Sequence, residues 1–382
     1  MKTLLLSLLL IQLINISISD VDLTTYYKTY IQNFGYNLEV HEVETTDGYL
    51  LSLWHLIPKK TPTKVAYFQH GLSDTAWCFF QSGSRSLPFL LIKEGFDIWL
   101  GNSRGTIFST KHKTKDPTDK NSGFFDFSMD ENVNYDLPAT IKYIKSKTGG
   151  KKMSYIAHSQ GSTIFFMLYM KNPSLIESSF DHFTSIGTVP NIAYAVFGPI
   201  KLLDTIYGLF EKLNLSKGFL TLTHAQRLKV ANFCKTIPSA CKAFFETGAN
   251  IRKTNRVNYD NIYNYLYYYP GGTSQNNLLQ WSQIHKLKQL VYYNPNFDKD
   301  KTATAYNTNN LKKWKVKALV VRTDCDTFSS YQDVTDLYNN INAEYKSNMK
   351  LLDITNYGHL DVLAADSAYN DIFVPMVNFL KN

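Results

Sequence analysis

The sequence predicts an α/β protein in which helices cover both faces of a mostly parallel sheet and a helical block interrupts the sheet late in the chain. From residue 65 onward, short apolar runs alternate with helical segments, and each run ends in a glycine or a polar turn. Continuous apolar runs are typical of parallel strands, because such strands are buried on both faces. Between about residues 191 and 310 this rhythm disappears. The predicted strands are Val65–Phe68, Phe96–Leu100, Ser154–Ala157, Ser185–Val189, Ala318–Val321 and Lys350–Ile354.

Residues 1–19 have the pattern of a secretory signal peptide. Lys2 supplies the positive start, Leu4 to Ile14 form a short apolar run, and small residues precede Asp20. The apolar run is shorter than the roughly 18–20 residues that a membrane-spanning helix needs, so a cleaved signal is favoured over an anchor. We therefore expect a secreted or lysosomal protein, in a compartment where disulfides form.

A hairpin and two helices are predicted before the central strands and between them. The first three elements are a helix over Leu23–Phe34 and strands over Glu39–Val43 and Tyr49–Ile57. The turn Thr46-Asp47-Gly48 separates the two strands, which indicates a β-hairpin. Residues 128–148 form a helical pattern that begins with Ser128 and Glu131 at capping-box spacing. Pro138 predicts either a kink or a later start of this helix.

The loss of the strand rhythm divides the mature chain into a core and an inserted cap. We assign residues 20–190 and 311–382 to the core and residues 191–310 to a cap or lid. An insertion of this size between sheet strands is typical of a cover over an active site. Its predicted helical stretches are Ala193–Leu213 and Cys234–Phe245, followed by the tyrosine-rich run Tyr263–Tyr269.

The charge and the remaining short motifs narrow the class of protein. The formal net charge is +8, but the lysines are scattered and no nucleic-acid recognition motif appears, so a nucleic-acid partner is not expected. A basic surface suits anionic lipid headgroups, or simply keeps the protein soluble. Asn214-Leu215-Ser216 is a glycosylation sequon. No metal or organic cofactor is expected.

Four cysteines are present in a chain that we expect to enter an oxidising compartment, and two of them are close in sequence. Cys234 and Cys241 are the favoured disulfide pair because of this proximity, although spacing alone does not fix the pairing. Cys78 and Cys325 are then expected as buried thiols.

The pentapeptide Ala157-His158-Ser159-Gln160-Gly161 is the strongest chemical signal in the chain. It follows a predicted strand and precedes an apolar helical run, Ile164–Met170. A serine at a sharp strand-to-helix turn has an exposed hydroxyl, which is the nucleophile position of the α/β-hydrolase fold. Ala157 replaces the usual first glycine but is still small. An ordinary turn is the alternative, and the strand–turn–helix context favours Ser159 as a nucleophile.

A serine nucleophile needs a histidine base and an acid that orients the histidine, and in this fold the order along the chain is serine, acid, histidine. His359 follows the predicted strand Lys350–Ile354, where such a base belongs, whereas His285 lies on a predicted cap helix. The acid should follow Ala318–Val321, where Asp324 and Asp326 are two residues apart. The residue pattern leaves this choice open.

Attack by the serine creates an oxyanion that two backbone N–H groups must stabilise. One comes from the residue after the nucleophile, Gln160, and the other from the loop after an early strand, where the sequence is His70-Gly71-Leu72. Leu72 is the second predicted donor. His70 resembles a side-chain catalyst, but its position before the donor favours a role in holding the loop.

The mature chain resembles the acid lipase family over nearly its whole length. This family includes gastric lipase, lysosomal acid lipase and yeast steryl ester hydrolases. The resemblance implies that Asp326 is the acid, because the family's aspartate lies a fixed short distance before a Gln-Asp-Val string. The family usually has glycines and an asparagine before that aspartate, so Asp324 remains a minor alternative. The family also has a cysteine pair in its cap, which corresponds to Cys234 and Cys241 at a shorter spacing. The matching strings are Thr46-Asp47-Gly48-Tyr49, His70-Gly71-Leu72, Trp99-Leu100-Gly101-Asn102-Ser103-Arg104-Gly105, Tyr135-Asp136-Leu137-Pro138-Ala139-Thr140, His158-Ser159-Gln160-Gly161, Gly272-Thr273-Ser274, Trp281-Ser282-Gln283 and Gln332-Asp333-Val334.

The resemblance implies hydrolysis of neutral lipid esters, either triacylglycerols or steryl esters, under a lid that opens at a lipid–water interface. Contact with a membrane or lipid-droplet surface is then expected. Two alternatives remain open: an esterase or acyltransferase for smaller esters, and a catalytically silent lipid-binding protein on the same fold. The second is disfavoured because Ser159, Asp326 and His359 are all present.

Overall fold

A mostly parallel sheet forms the centre of the protein in a computed structural model, which describes residues 22–196, 218–239, 242, 246 and 257–382. Its strands are β1 (Asn37–Glu44), β2 (Tyr49–Ile57), β3 (Lys64–Gln69), β4 (Phe96–Gly101), β5 (Lys111–His112), β6 (Met153–His158), β7 (Phe180–Ile186), β10 (Lys317–Thr323) and β11 (Met349–Ile354). Their order across the sheet is β1-β2-β4-β3-β6-β7-β10-β11, and β5 pairs with β2. The pairs β1–β2, β2–β4 and β2–β5 are antiparallel, and the pairs from β4 onward are parallel. Two further short strands, β8 (Gly218–Phe219) and β9 (Thr273–Ser274), form a separate small sheet.

Helices pack on both faces of this sheet, as the continuous apolar runs predict. Alternate residues of β3 point into two separate cores, with Ala66 and Phe68 on one side and Val65 and Tyr67 on the other. Among the described residues, none of the helices has the length and apolar character needed to cross a bilayer. The helices are α1 (Tyr26–Asn33), α2 (Leu87–Lys93), α3 (Met129–Glu131), α4 (Leu137–Lys147), α5 (Gln160–Lys171), α6 (Pro173–Ser179), α7 (His224–Thr236), α8 (Tyr259–Tyr265), α9 (Gln275–Leu287), α10 (Phe297–Asp300), α11 (Tyr331–Asn340), α12 (Asp361–Ala364) and α13 (Val374–Lys381).

Two predicted elements differ from the structure in instructive ways. The strand expected over Ser185–Val189 is β7, which begins and ends earlier; Thr188 and Val189 are buried in the loop that follows it. The helix expected over 128–148 is broken into α3, a π-helical turn over Asn132–Asp136, and α4. Pro138 is the second residue of α4, so the helical run continues past it after a change of hydrogen-bond pattern in the π-helical turn. The predicted capping box of Ser128 and Glu131 is confirmed.

The described residues between β7 and β10 add no strand to the central sheet, and helices are their main regular secondary structure. Residues 193–196 form a turn and loop rather than the predicted start of a helix, and the rest of that prediction lies outside the described residues. Within the predicted helix at Cys234–Phe245, residues 234–236 form the last turn of α7, and the described residues Pro238, Ser239 and Lys242 are helical as well. The tyrosine-rich run begins in α8 and continues as turns.

The described cysteines differ in oxidation state. Cys234 is buried in α7 and is disulfide-bonded, while its predicted partner Cys241 lies outside the described residues. The thiols of Cys78 and Cys325 are reduced. Cys78 is buried, as expected, but the prediction that Cys325 is buried is wrong, because the loop after β10 leaves it partly exposed. The predicted signal peptide and the predicted glycosylation site at Asn214 also lie outside the described residues.

Candidate active site

Ser159 lies at a sharp turn between β6 and α5. Its backbone has φ 51° and ψ −124°, an unfavourable conformation for a residue with a side chain. The turn brings α5 against β3 so closely that a Cβ atom on Gly161 would be 2.3 Å from the carbonyl oxygen of Gln69. Gly71 is equally constrained, since its Cβ would be 2.8 Å from the Cβ of Ser159. Only glycine fits at these two positions.

The structure brings Ser159, His359 and Asp326 into one hydrogen-bonded chain. Nε2 of His359 is 2.8 Å from Oγ of Ser159, and Nδ1 is 2.7 Å from Oδ2 of Asp326. The three residues come from the turn after β6, the loop after β11 and the loop after β10, respectively. These are the carboxyl ends of neighbouring parallel strands, so the fold assembles the cluster at one edge of the sheet.

Hydrogen bonding fixes the direction of this chain. The backbone N–H groups of Phe328 and Ser329 donate to Oδ1 of Asp326, at 2.8 and 2.9 Å. A buried carboxylate with these donors is an acceptor, so Nδ1 of His359 carries the proton that it donates to Oδ2. Nε2 of His359 is then a lone-pair acceptor for the Ser159 hydroxyl, which is the geometry of a general base and its nucleophile.

The alternatives to Asp326 and His359 lie elsewhere. Asp324 is exposed, and its Oδ1 accepts a hydrogen bond from the N–H of Asn356, so it stabilises the loop after β11. His285 lies on α9 with Nε2 3.4 Å from Nζ of Lys288. Neither residue takes part in the Ser159–His359 hydrogen bond.

The loop His70-Gly71-Leu72 follows β3, the strand that pairs directly with β6. In the sheet, β4 lies on one side of β3 and β6 lies on the other, so the strand order reverses between β3 and β6. This loop and Ser159 follow the carboxyl ends of these two strands. His70 holds the loop, as predicted: Nε2 accepts from the N–H of Ser103, which leaves Nδ1–H to donate to the carbonyl of Gly71. Burial lowers the pKa of His70 to about 4, so it is neutral.

The two predicted oxyanion donors lie beside the Ser159 side chain. Gln160 is the first residue of α5, and Leu72 follows Gly71, whose backbone packs against Ser159. In the described part of the chain, neither of these N–H groups donates to a protein atom. Helix α9 holds the side chain of Gln160, because Nε1 of Trp281 donates to its Oε1 at 2.7 Å.

A buried polar group beneath this loop has no counterpart in the sequence prediction. Asp74 follows the loop, and its Oδ2 accepts a hydrogen bond from the hydroxyl of Tyr265 on α8 at 2.8 Å. The Cys78 thiol also hydrogen-bonds to this carboxyl. Burial raises the pKa of Asp74 to about 7, because a carboxylate loses its hydration there. Asp74 and Tyr265 are 191 positions apart, so no local pattern predicts the pair.

A buried ion-pair network explains three of the sequence strings that resemble the acid lipases. The guanidinium of Arg104 donates to Asp47 at 2.6 and 3.0 Å and to Asp136 at 2.6 and 2.8 Å. It also lies 4.0 Å from the ring centre of Tyr49. The network joins the β1–β2 turn, the loop after β4 and the π-helical turn. Asn102 and Ser103 directly precede Arg104. The Asn102 side chain accepts a hydrogen bond from the N–H of Ala76, and the N–H of Ser103 donates to His70, so the network supports the active-site edge of the sheet.

Known proteins match the chain over nearly its whole length. A model described as a partial alpha/beta-hydrolase lipase region matches residues 27–83, and one described as the alpha/beta hydrolase fold matches residues 67–365. An esterase from Exiguobacterium antarcticum has the same fold, with a TM-score of 0.54 at 11% identity over 89% of this chain and 99% of that one.

Curated relatives are closer in sequence. Lipase member K of Homo sapiens is 33% identical over 92% of this chain and 90% of its own length. Gastric triacylglycerol lipase of Bos taurus is 31% identical over 92% of this chain and 89% of its own. Lysosomal acid lipase/cholesteryl ester hydrolase of Homo sapiens is also 31% identical, over 92% of this chain and 89% of its own. With relatives this similar over nine-tenths of its length, the chain belongs to the acid lipases of the α/β-hydrolase family.

Proposed function

We propose that this protein is a serine carboxylic ester hydrolase that cleaves neutral lipid esters, triacylglycerols or steryl esters, at a lipid–water interface. The observation that carries the proposal is the hydrogen-bonded chain Ser159–His359–Asp326 at the carboxyl edge of the sheet. The relatives named for triacylglycerol and cholesteryl ester hydrolysis support the choice of substrate.

In the proposed reaction, Oγ of Ser159 attacks the ester carbonyl while Nε2 of His359 takes its proton. The carbonyl oxygen becomes an oxyanion that the N–H groups of Leu72 and Gln160 stabilise. His359 then protonates the departing alcohol, which leaves an acyl group on Ser159. Water, deprotonated by His359, releases the fatty acid and restores the serine. Asp326 keeps the His359 ring in the required tautomer and stabilises its charged form.

We further propose the setting in which this reaction takes place. Residues 1–19 direct the chain out of the cytosol and are removed, so that the mature enzyme works in a lysosome-like compartment or outside the cell. Residues 191–310 form a cap over the Ser159 edge, stabilised by the Cys234–Cys241 disulfide and carrying a glycan on Asn214. Helices are the main regular secondary structure of the described residues between β7 and β10, which supports the cap assignment.

The proposal is tested by fatty-acid release from emulsified triacylglycerol and steryl ester, at about pH 5 and about pH 7.5, on either side of the ordinary pKa of histidine. We expect activity on at least one emulsion, and a loss of at least about 10⁴-fold in Ser159→Ala, since removing a triad nucleophile costs this much or more. Ser178→Ala, an exposed serine on α6, is the matched control and should retain full activity.

Three other results would point away from the proposal. Cleavage of short soluble esters alone would make the protein an esterase. Transfer of the acyl group to an added alcohol in preference to water would make it an acyltransferase. A folded protein that binds lipid and cleaves no ester would be a lipid carrier on a hydrolase fold.

A further inference from the structure

Three side chains with metal-binding atoms meet on the antiparallel side of the sheet. Glu39 and His41 are two residues apart on β1, so they share one face, and Glu39 pairs directly with His55 of β2 in the strand register. Directly paired and diagonal residues of two strands are neighbours on that face. The ligand atoms of the three side chains all lie within 4.8 Å of one another. Strand pairing alone creates this cluster.

Two imidazole nitrogens in the cluster are buried without a hydrogen-bond partner among the described residues. They are Nε2 of His41 and Nδ1 of His55. The nearest charged oxygen to Nε2 of His41 is Oε2 of Glu39, at 3.5 Å, which is too far for a hydrogen bond. A metal ion bound between these atoms would give both nitrogens a partner.

The surroundings hold each histidine in the form that a metal requires. Nε2 of His55 is 2.6 Å from Oδ1 of Asp97, and this carboxylate also accepts from Nε1 of Trp99. Nε2 of His55 therefore carries the proton, and Nδ1 has the lone pair. The ring of His55 stacks on Trp99 with centres 3.9 Å apart. A histidine that is fixed by a carboxylate on its far nitrogen is the usual arrangement around bound zinc.

His41 is held in a similar way. Its Nδ1 lies 3.1 Å from the hydroxyl of Tyr143 on α4, so Nδ1–H can donate while Nε2 faces the cluster. The His41 side chain is 20% exposed and that of Glu39 is 61% exposed, which leaves an ion access to solvent. Lys147 lies near enough to act electrostatically on His41, and the Glu39 carboxylate acts on it in the opposite sense.

We propose that Glu39, His41 and His55 form a Zn²⁺ site on the outer strands of the sheet, separate from Ser159. Two imidazoles, one carboxylate and a water molecule make a four-coordinate zinc site. The strand order places three inter-strand steps between β2 and β6, which is about 14 Å across the sheet at the usual spacing. The ion therefore binds away from the triad and ties β1 to β2. This site departs from the sequence expectation of no metal.

The test is a calorimetric titration of Zn²⁺ into the full chain after chelator treatment, at about pH 7.5, where imidazole is deprotonated. His41→Gln removes one ligand and should weaken binding by about 100-fold, and Glu39→Gln should weaken it by at least about 10-fold. Glu42→Gln is the matched control, since Glu42 is exposed on β1, three residues from Glu39 and on the opposite face. It should bind as the parent does.

Co²⁺ in place of Zn²⁺ provides a second measurement, because a four-coordinate site gives strong visible absorption that His41→Gln should abolish. If His41→Gln does not fold, the exposed Glu39→Gln variant decides alone. A parent protein that binds zinc no more tightly than about millimolar, or zinc binding that is equal in the parent, Glu39→Gln and His41→Gln, would overturn the site. Ester hydrolysis is not part of this test, so its failure and the failure of the proposed function are independent.

Discussion

In this site, the hydrogen-bond partners of each side chain determine which of its atoms donate and which accept. Asp326 is held by two backbone N–H groups and by His359, so both carboxylate oxygens accept hydrogen bonds although the side chain is buried. His359 in turn has its protonated nitrogen specified by that carboxylate. The reactivity proposed for Ser159 therefore rests on a group two hydrogen bonds away.

Asp326→Asn tests this dependence. The substituted side chain would direct an NH₂ group at Nδ1 of His359, where the carboxylate accepted a hydrogen bond, and this favours the wrong tautomer of His359. We expect kcat for ester hydrolysis to fall by about 10⁴-fold while the fold is retained. Asp324→Asn, in the exposed neighbour, should leave kcat within about twofold. Equal losses in the two variants would return Asp324 to consideration as the acid.

Asp74 predicts a pH dependence of stability. Its pKa is about 7 in the folded protein against the ordinary 3.8, so the folded state retains a proton that the unfolded chain has lost in this interval. The contribution of Asp74 to the free energy of unfolding is therefore complete below about pH 4 and is lost as the pH rises towards 7, at about 1.4 kcal/mol per unit.

Urea unfolding at about pH 5 and about pH 8, which bracket most of this change, measures the effect. Asp74→Asn has one acceptor oxygen and one donor group, as the protonated carboxyl has, and it does not titrate. The variant should therefore lose less stability than the parent between the two pH values. Identical pH profiles of the parent and the variant would contradict the prediction.

At the scale of elements, the contact between β3 and α5 sets how the nucleophile is presented. The helix approaches the strand until Gly161 touches the backbone of Gln69, the residue just before the His70 loop. A change at this contact therefore reaches both the serine turn and the predicted oxyanion loop.

Gly161→Ala should separate β3 from α5, because its Cβ would overlap the Gln69 carbonyl. We expect a loss of about 1–3 kcal/mol in the free energy of unfolding, together with a marked fall in kcat. Gly150→Ala is the control: it has φ +78° with no atom within 4 Å, so it should lose stability through backbone strain but keep its activity. Chemical unfolding and emulsion assays on both variants would show whether the contact or general strain matters.

At the scale of the whole molecule, Arg104 joins three distant parts of the chain through two carboxylates. Arg104→Ala would leave Asp47 and Asp136 without their cation, and breaking a buried ion pair in this way costs about 3–5 kcal/mol. Arg85→Ala removes a pair with Asp366 in which both side chains are about half exposed, so its cost should be about 0–1 kcal/mol. Similar unfolding free energies for the two variants would contradict the structural role of Arg104.

The parts of this molecule that could be read from the sequence are those with a local pattern. The strands were predictable because parallel strands are continuous apolar runs, and Ser159 because its turn has a strand before it and a helix after it. The predicted boundary of β7 is wrong because Thr188 and Val189 have β-branched side chains and are buried like strand residues, although they lie in the loop. The local residue pattern leaves Asp324 and Asp326 open, and only the family resemblance favours Asp326. The Asp74–Tyr265 and His41–His55 pairs need the tertiary structure.

The contacts between residues 265–271 and the loop after β3 have a consequence for protein engineering. Tyr265 binds Asp74, and the N–H of Gly271 donates to the carbonyl of Ser73 at 2.7 Å, so this segment braces the backbone that carries Leu72. A chimaera in which the whole proposed cap, residues 191–310, is replaced would lose these braces. Grafts intended to change acyl selectivity should therefore be spliced before Tyr259, leaving the native chain intact from there onward.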